Sequence, residues 1–153
     1  MTLSESAPLT LDEIRQRART AGYFQLLGLD IIAAQNGTGA VHIVVDERLM
    51  HPQRMVHGGV IITLADTAMS MALMSILPAS TRFSTIEAKI NYLRSVDSGE
   101  LVAEATIIHR GRTTAVIEAT VYNIHGDERA AVARTLGTFH ISSSKYPSPP
   151  TGG

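Results

Sequence analysis

The amino-acid sequence predicts an α+β fold in which one antiparallel sheet of about six strands wraps around one long central helix. Three observations carry that expectation. Residues 56–77, "VHGGVIITLADTAMSMALMSIL", are apolar almost all round a helical wheel, and Pro78 closes the run. Two strand-like runs precede this helix and four follow it. The connections after the helix are of hairpin length, and strands joined that way pair antiparallel.

Each element has its own signal. Thr10 to Ala21 reads as a short helix: Thr10 and Glu13 have capping-box spacing, Leu11, Ile14 and Ala18 share a face, and Gly22 stands where it should stop. Leu29–Gln35 and Thr38–Asp46 are β-rich and joined by Asn36-Gly37, a pair suited to the positive φ angles of a two-residue hairpin turn. A loop holding Pro52 leads to His57-Gly58-Gly59 and the long helix. Phe83–Leu93 then alternates, which places Ile86, Ala88, Ile90 and Tyr92 on one face and Thr85, Glu87, Lys89 and Asn91 on the other. Leu101–His109 and Thr113–Asn123 meet at Arg110-Gly111-Arg112, and His125-Gly126-Asp127 turns the chain into Ala130–Ile141. Residues 143–153, rich in Ser, Pro and Gly, are expected to be a disordered tail. The domain expectation is therefore an N-terminal segment over 1–24, one domain over 25–142, and that tail. A helix apolar on nearly every side needs cover on most sides, so one sheet wraps it and a second subunit takes the leftover stripe. That is the hotdog architecture.

Composition narrows the chemistry. The chain has 153 residues, a net charge of −1 and no cysteine. No basic face points to nucleic acid. Disulfides, thiolate zinc sites and a cysteine nucleophile are excluded. The start, "MTLSESAPLTLDEI", lacks the positive n-region and apolar run of a secretory signal. Residues 56–77 are long enough for a bilayer, but His57, Thr63, Asp66, Thr67, Ser70 and Ser75 argue for a buried helix instead. The expectation is a cytoplasmic protein that neither binds nucleic acid nor enters a membrane.

One carboxylate, Asp66, sits near the middle of this apolar helix, where burial without a partner costs several kcal/mol. Eight residues earlier, His57-Gly58-Gly59 opens the helix, where free N–H groups and the positive end of the dipole point outward. Glycine there lets a ligand carbonyl come close, so the Gly58 N–H is a candidate oxyanion donor, an effect worth about 3–4 kcal/mol in acyl transfer. Asp66 lies too far along the helix to reach the same carbonyl in its own chain. Two antiparallel helices at a dimer interface would bring Asp66 of one chain to Gly58 of the other. Ser70 is one turn past Asp66 on the same face. No spacing puts His51, His57 and Asp66 on one helical face, so no metal site is expected. At Arg110-Gly111-Arg112-Thr113, two guanidiniums and exposed N–H groups at a glycine turn suit phosphate.

The stretch from His51 to Arg94, with "HGG", "ADTAMS" and "NYLRSV", resembles the hotdog-fold acyl-CoA thioesterases. The branch it looks most like holds the phenylacetate-pathway thioesterase, the Arthrobacter-type 4-hydroxybenzoyl-CoA thioesterases and human thioesterase superfamily member 2. The resemblance covers roughly residues 25 to 142. It implies that Gly58 polarises the thioester and that Asp66 acts across the dimer interface, as nucleophile or as general base for water. It implies a water-holding or orienting hydroxyl at Ser70 and another at Thr85. Family members usually carry Asn or Gln, donating to the same carbonyl, where this chain departs with His51, which is expected to donate through a ring N–H instead. His57 and Gly59 line the site, with His57 capping the helix. The resemblance also implies that the turn Arg110–Thr113, with Arg94 as a second candidate, meets the phosphates of coenzyme A.

The function expected is hydrolysis of an acyl- or aryl-acyl-CoA thioester to the carboxylic acid and free coenzyme A, by a homodimer or homotetramer needing no cofactor. Phenylacyl, benzoyl and medium-chain groups are all open. A hotdog enoyl-CoA hydratase or dehydratase using His51 and Asp66, and a non-catalytic acyl-CoA-binding module, are the rival readings.

Overall fold

The computed structural model describes residues 7–145. Helix α1 (Leu11–Ala18) opens on a complete capping box, the Thr10 N–H donating to Glu13 Oε2 at 2.8 Å. Gly22 does not stop it. The helix ends at Ala18, and Gly22 instead begins a second short helix, α2 (Gly22–Leu27), which Gly28 terminates at φ 71°. Glycine suits that left-handed position because it has no Cβ to clash. The hairpin forms where Asn36-Gly37 predicts it, with φ of 50° and 77°, between β1 (Asp30–Gln35) and β2 (Thr38–Val44).

The central helix α3 spans Gly58–Met74 and is followed by β3 (Thr81–Tyr92), β4 (Glu100–Arg110), β5 (Thr114–His125) and β6 (Glu128–Lys145). Strand β6 therefore runs through the first three residues of the expected tail, and the rest of that tail lies outside the described residues. All six strands form one sheet of order β1-β2-β4-β5-β6-β3, with every neighbouring pair antiparallel. The succession of hairpins fails at one place. Strand β3 does not pair with β4 but sits at the far edge against β6, and β4 takes the place beside β2. The connection between β3 and β4 crosses the N-terminal end of α3 and docks there, with Val96 buried and its carbonyl accepting from the Val56 N–H at 2.7 Å. That crossing builds the wall of a cavity at the helix start.

The sheet buries one face on α3: Val41 and Ile43 from β2, Leu101, Ala103 and Ala105 from β4, and Ala115, Ile117, Ala119 and Val121 from β5. Small residues set the distance. Ala65, Ala68 and Ala72 are fully buried on α3, and Gly39 of β2 lies where any Cβ would come within 2.3 Å of the Ala68 carbonyl oxygen. The helix is not covered all round. Ile62, Thr63, Asp66, Ser70 and Met74 form a half-buried stripe along it, beside edge strand β3, no residue of which is fully buried. No helix among the described residues is long and apolar enough to cross a membrane.

The close approach at Gly39 makes a prediction. In Gly39→Ala the added methyl meets helix backbone at 2.3 Å and 2.6 Å, atoms that cannot rotate away. Overpacking of this kind costs at least ~2 kcal/mol, which lowers Tm by roughly 4–8 °C in a domain of this size. Circular dichroism melts measure it, and a variant melting within a degree of the parent would show that helix and strand are not in contact here.

Candidate active site

Asp66 is not buried in the core. Its position on the uncovered stripe of α3 leaves it half-buried, in the wall of an open cavity of about 550 Å³ that also takes in Ser70, Thr85, Tyr23, Phe24 and Thr63. The carboxylate has a partner: Thr85 Oγ1 donates to Asp66 Oδ1 at 2.8 Å. This contact contradicts the simple alternation that would place Thr85 on the face opposite Ala88. A β-bulge between Thr85 and Glu87 shifts the register by one residue, so Thr85 and Ala88 line the same cavity while Ile86 bulges outward, 57% exposed. An extra residue in one strand reverses the in–out order beyond it, and bulges aim side chains in this way.

The wall of the cavity is a chain of hydroxyls. Thr67 Oγ1 donates to the Thr63 carbonyl at 2.7 Å, and Thr63 Oγ1 donates to the Gly59 carbonyl at 2.8 Å. With the Thr63 proton so committed, Tyr23 Oη, 3.0 Å away, is the donor to Thr63. Nothing in the sequence pattern singled out Tyr23, because α2, which carries it, was not expected.

A second cavity of about 350 Å³ surrounds the start of α3, lined by His51, Met55, Gly58, Tyr92, Arg94 and Val96 among others. The Gly58 N–H has no acceptor among the described residues, as the first helical turn leaves it. His57 is the N-cap, its Nδ1 accepting from the Gly59 N–H at 2.9 Å. His51 Nδ1 accepts from the Gln53 N–H at 3.1 Å, so in the neutral ring the proton sits on Nε2 and is free to donate. His51, Gly58 and Arg94 are thus brought together, and Tyr92, unassigned by the sequence, joins them. Among the described residues no three His, Asp or Glu side chains are placed to share a metal ion.

The two cavities are separate in one chain. Gly58 and Asp66 are eight residues apart on one helix, about 12 Å along its axis. The turn Arg110–Thr113 is further still from Gly58. It is exposed except at Gly111, whose N–H donates to the Thr114 carbonyl at 2.8 Å. By register it lies at the end of the sheet where β3 starts, whereas Tyr92 and Gly58 lie at the other end. A single chain therefore assembles Asp66, Ser70 and Thr85 at one place and His51, Gly58 and Arg94 at another.

Comparison with known proteins identifies the family and the fold. The family model of the thioesterase superfamily matches residues 53–130, just over half of the chain. A putative esterase of Halobacterium salinarum is 33% identical over 78% of this chain and 84% of its own length. The 1,4-dihydroxy-2-naphthoyl-CoA hydrolase of Listeria monocytogenes is 34% identical over 65% of this chain and 81% of its own length. Among solved structures, a thioesterase from Haemophilus influenzae superposes with a TM-score of 0.79 at 27% identity, covering 90% of this chain and 93% of that one. The PaaI protein of the Escherichia coli phenylacetic acid degradation operon gives 0.72 at 25% identity, covering 89% and 99%. The family match and these relatives show that the chain belongs to the thioesterase superfamily, and its six-stranded antiparallel sheet with one long central helix is the hotdog fold of its structural neighbours.

Proposed function

We propose that the protein hydrolyses an acyl-CoA thioester to the carboxylic acid and free coenzyme A, at sites shared between two subunits. The observation that carries this reading is Asp66 itself: a carboxylate held by Thr85, facing an open cavity on the one stripe of α3 that its own sheet leaves bare. A second chain related by a two-fold axis and covering that stripe sets the two helices antiparallel. The helix start of one chain, with Gly58 and His51, then faces Asp66 of the other. The same operation carries the Arg110–Thr113 end of one sheet toward the partner's helix start, where coenzyme A phosphates and Arg94 would meet. The half-exposed Ile86 and Tyr92 of edge strand β3, with Leu93 just past its end, are the surface such a partner would cover.

The Gly58 N–H and His51 Nε2–H donate to the thioester oxygen and stabilise the charge that develops on it during attack. Asp66 either takes a proton from water as the water oxygen bonds to the carbonyl carbon, or attacks that carbon itself and forms an anhydride that water then opens. In both cases the C–S bond breaks, and the coenzyme A thiolate leaves and takes up a proton. Thr85, donating to Asp66, holds the carboxylate in one orientation. Ser70 lies on the same cavity wall, and its hydroxyl is the group that would hold the water in this reading. The small side chains on the helix and the aromatic rings of Tyr23 and Phe24 leave both aryl and medium-chain acyl groups compatible with the cavity.

Asp66→Asn tests the central role. It keeps the shape and the acceptor for Thr85 while removing the charge, so kcat should fall at least about a hundredfold with binding and fold kept. The assay is thiol release across acyl-CoA esters of differing length and aromaticity, run beside loss of enoyl absorbance to detect hydration instead. Turnover near that of the parent would end the catalytic assignment.

Shared sites are tested by mixing Asp66→Asn with Gly58→Pro under subunit exchange. Position 58 is the first of the helix, and His57 already has the extended backbone that proline demands of its predecessor, so the backbone accepts proline while its ring, within 3.1 Å of Tyr92, pushes that side chain aside. The change removes the donor N–H. Mixed dimers keep one intact site of two, so roughly a quarter of parental activity should return. Verified exchange of folded variants without recovery would refute sharing.

Arg110→Ala with Arg112→Ala should raise KM for coenzyme A esters and leave kcat, because phosphate contacts bind ground and transition states alike. A pantetheine thioester, which lacks the nucleotide, should be unaffected; equal losses on both substrates would show that the turn does not bind phosphate.

A further inference from the structure

Two glycines in succession are a poor start for a helix that has to hold one backbone N–H still, since glycine keeps more φ/ψ freedom than any other residue. Here Gly58-Gly59 is gripped from two sides by aromatic rings. His57 Nδ1 accepts the Gly59 N–H at 2.9 Å, and Tyr92 Oη donates to the Gly58 carbonyl at 2.8 Å. Both bonds fall on the same peptide unit, one at its C=O and one at its N–H. Each polarises the unit in the sense that strengthens the other. The peptide before it, which carries the Gly58 N–H, is tied at its own carbonyl, the His57 C=O accepting from the Val60 N–H at 2.9 Å, and the unit before that is tied by the His57 N–H donating to the Leu49 carbonyl at 2.9 Å.

The rings also account for the glycines. A Cβ on Gly58 would come within 3.1 Å of Tyr92 Cζ and Oη, and one on Gly59 within 2.9 Å of His57 Nδ1. The missing side chains make room for the protein's own rings, a requirement separate from the approach of a ligand. Tyr92 is 50% exposed at the end of edge strand β3 and lines the cavity that holds His51 and Gly58. Its proton is committed to a backbone carbonyl, which leaves it no part as an acid for the departing thiolate.

We propose that Tyr92 is a positioning residue: its hydroxyl and ring splint the Gly58-Gly59 start of α3 and so aim the Gly58 N–H at the thioester carbonyl. The inference rests on the acyl-CoA hydrolysis proposed above. Tyr92 acts through Gly58 and touches none of the reacting atoms. The Tyr92 hydroxyl holds the peptide that follows the donor's own, and so adds to the ties from His57 a restraint on rotation about Gly58. The aim of a donor matters most in the transition state, where charge on the oxygen is greatest.

Tyr92→Phe keeps the ring and removes only the bond to Gly58. The expected result is a kcat about tenfold lower with KM within about twofold and an unchanged melting temperature, a smaller loss than deleting an oxyanion donor outright. The deciding measurement is the infrared carbonyl stretch of a bound acyl-CoA analogue in which a methylene replaces the thioester sulfur. Parent protein should shift that stretch to lower wavenumber than in water, and Tyr92→Phe should lose part of the shift. A carbonyl frequency equal to the parent's overturns the positioning role, whatever kcat does; a loss of kcat accompanied by lower melting temperature and an unchanged frequency marks a merely structural residue. Failure of the parent protein to release thiol from any acyl-CoA removes the hydrolysis reading and this one with it. An active parent with an indistinguishable Tyr92→Phe variant removes this one alone.

Discussion

A helix that is apolar on nearly every side cannot be left in water, and a single sheet cannot enclose it; this mismatch shapes the rest of the molecule. The sheet comes as close as backbone allows, with Gly39 against the carbonyl of Ala68 and three fully buried alanines on the helix face. It curls until its last strand is an edge, and there the cover runs out. The uncovered stripe of α3 is where Asp66, Thr63 and Ser70 sit. An unpaired carboxylate on the enclosed side would cost several kcal/mol, whereas on the bare stripe it stays partly hydrated and accepts from Thr85 at 2.8 Å. The limit on what one sheet can cover is thus also what permits a charged group on this helix.

The start of the same helix gathers side chains for a different reason. Its first N–H groups have no partners within the helix, and the side chains around them belong to three separate stretches of chain: the loop with His51, the N-cap His57, and Tyr92 at the end of β3. They converge because β3 crosses to the far edge of the sheet and the connection from β3 to β4 returns over the helix start, pinned by the Val56–Val96 bond. Both histidines present Nδ1 to a backbone N–H, which leaves Nε2 as the donor in each neutral ring.

Several features were legible in the sequence because their causes are local. The capping box at Thr10 and Glu13, the Asn36-Gly37 hairpin, the start of α3 and the N-cap at His57 each depend on residues within a few positions of one another, whereas the helix ends at Met74, ahead of the Pro78 that closes the apolar run. The spacing of Gly58 and Asp66 on one helix was legible for the same reason. Membership of the family was carried by the run from His51 to Arg94, whose motifs are themselves contiguous.

Other features were decided only by tertiary structure. The pairing of β3 with β6 rather than β4 depends on which edge is free once α3 has been laid across the sheet, and no hairpin-length connection announces it. The bulge at Ile86 reverses the alternation that the residues display, and it alone brings Thr85 to Asp66. Tyr92 was readable as an apolar strand residue, but its bond to Gly58 joins positions 34 residues apart and requires the crossing to have been made. Gly22 shows the converse: its chemistry permits a helix end or a helix start, and the chain used it to begin α2. The sequence by itself determined the elements, the helix with its carboxylate and the glycine-led start, because propensity, capping and periodicity act over a turn or two. Strand order, the bulge and the convergence of side chains on Gly58 depend on which surfaces are left to bury once the helix is in place, and that competition is settled only in three dimensions.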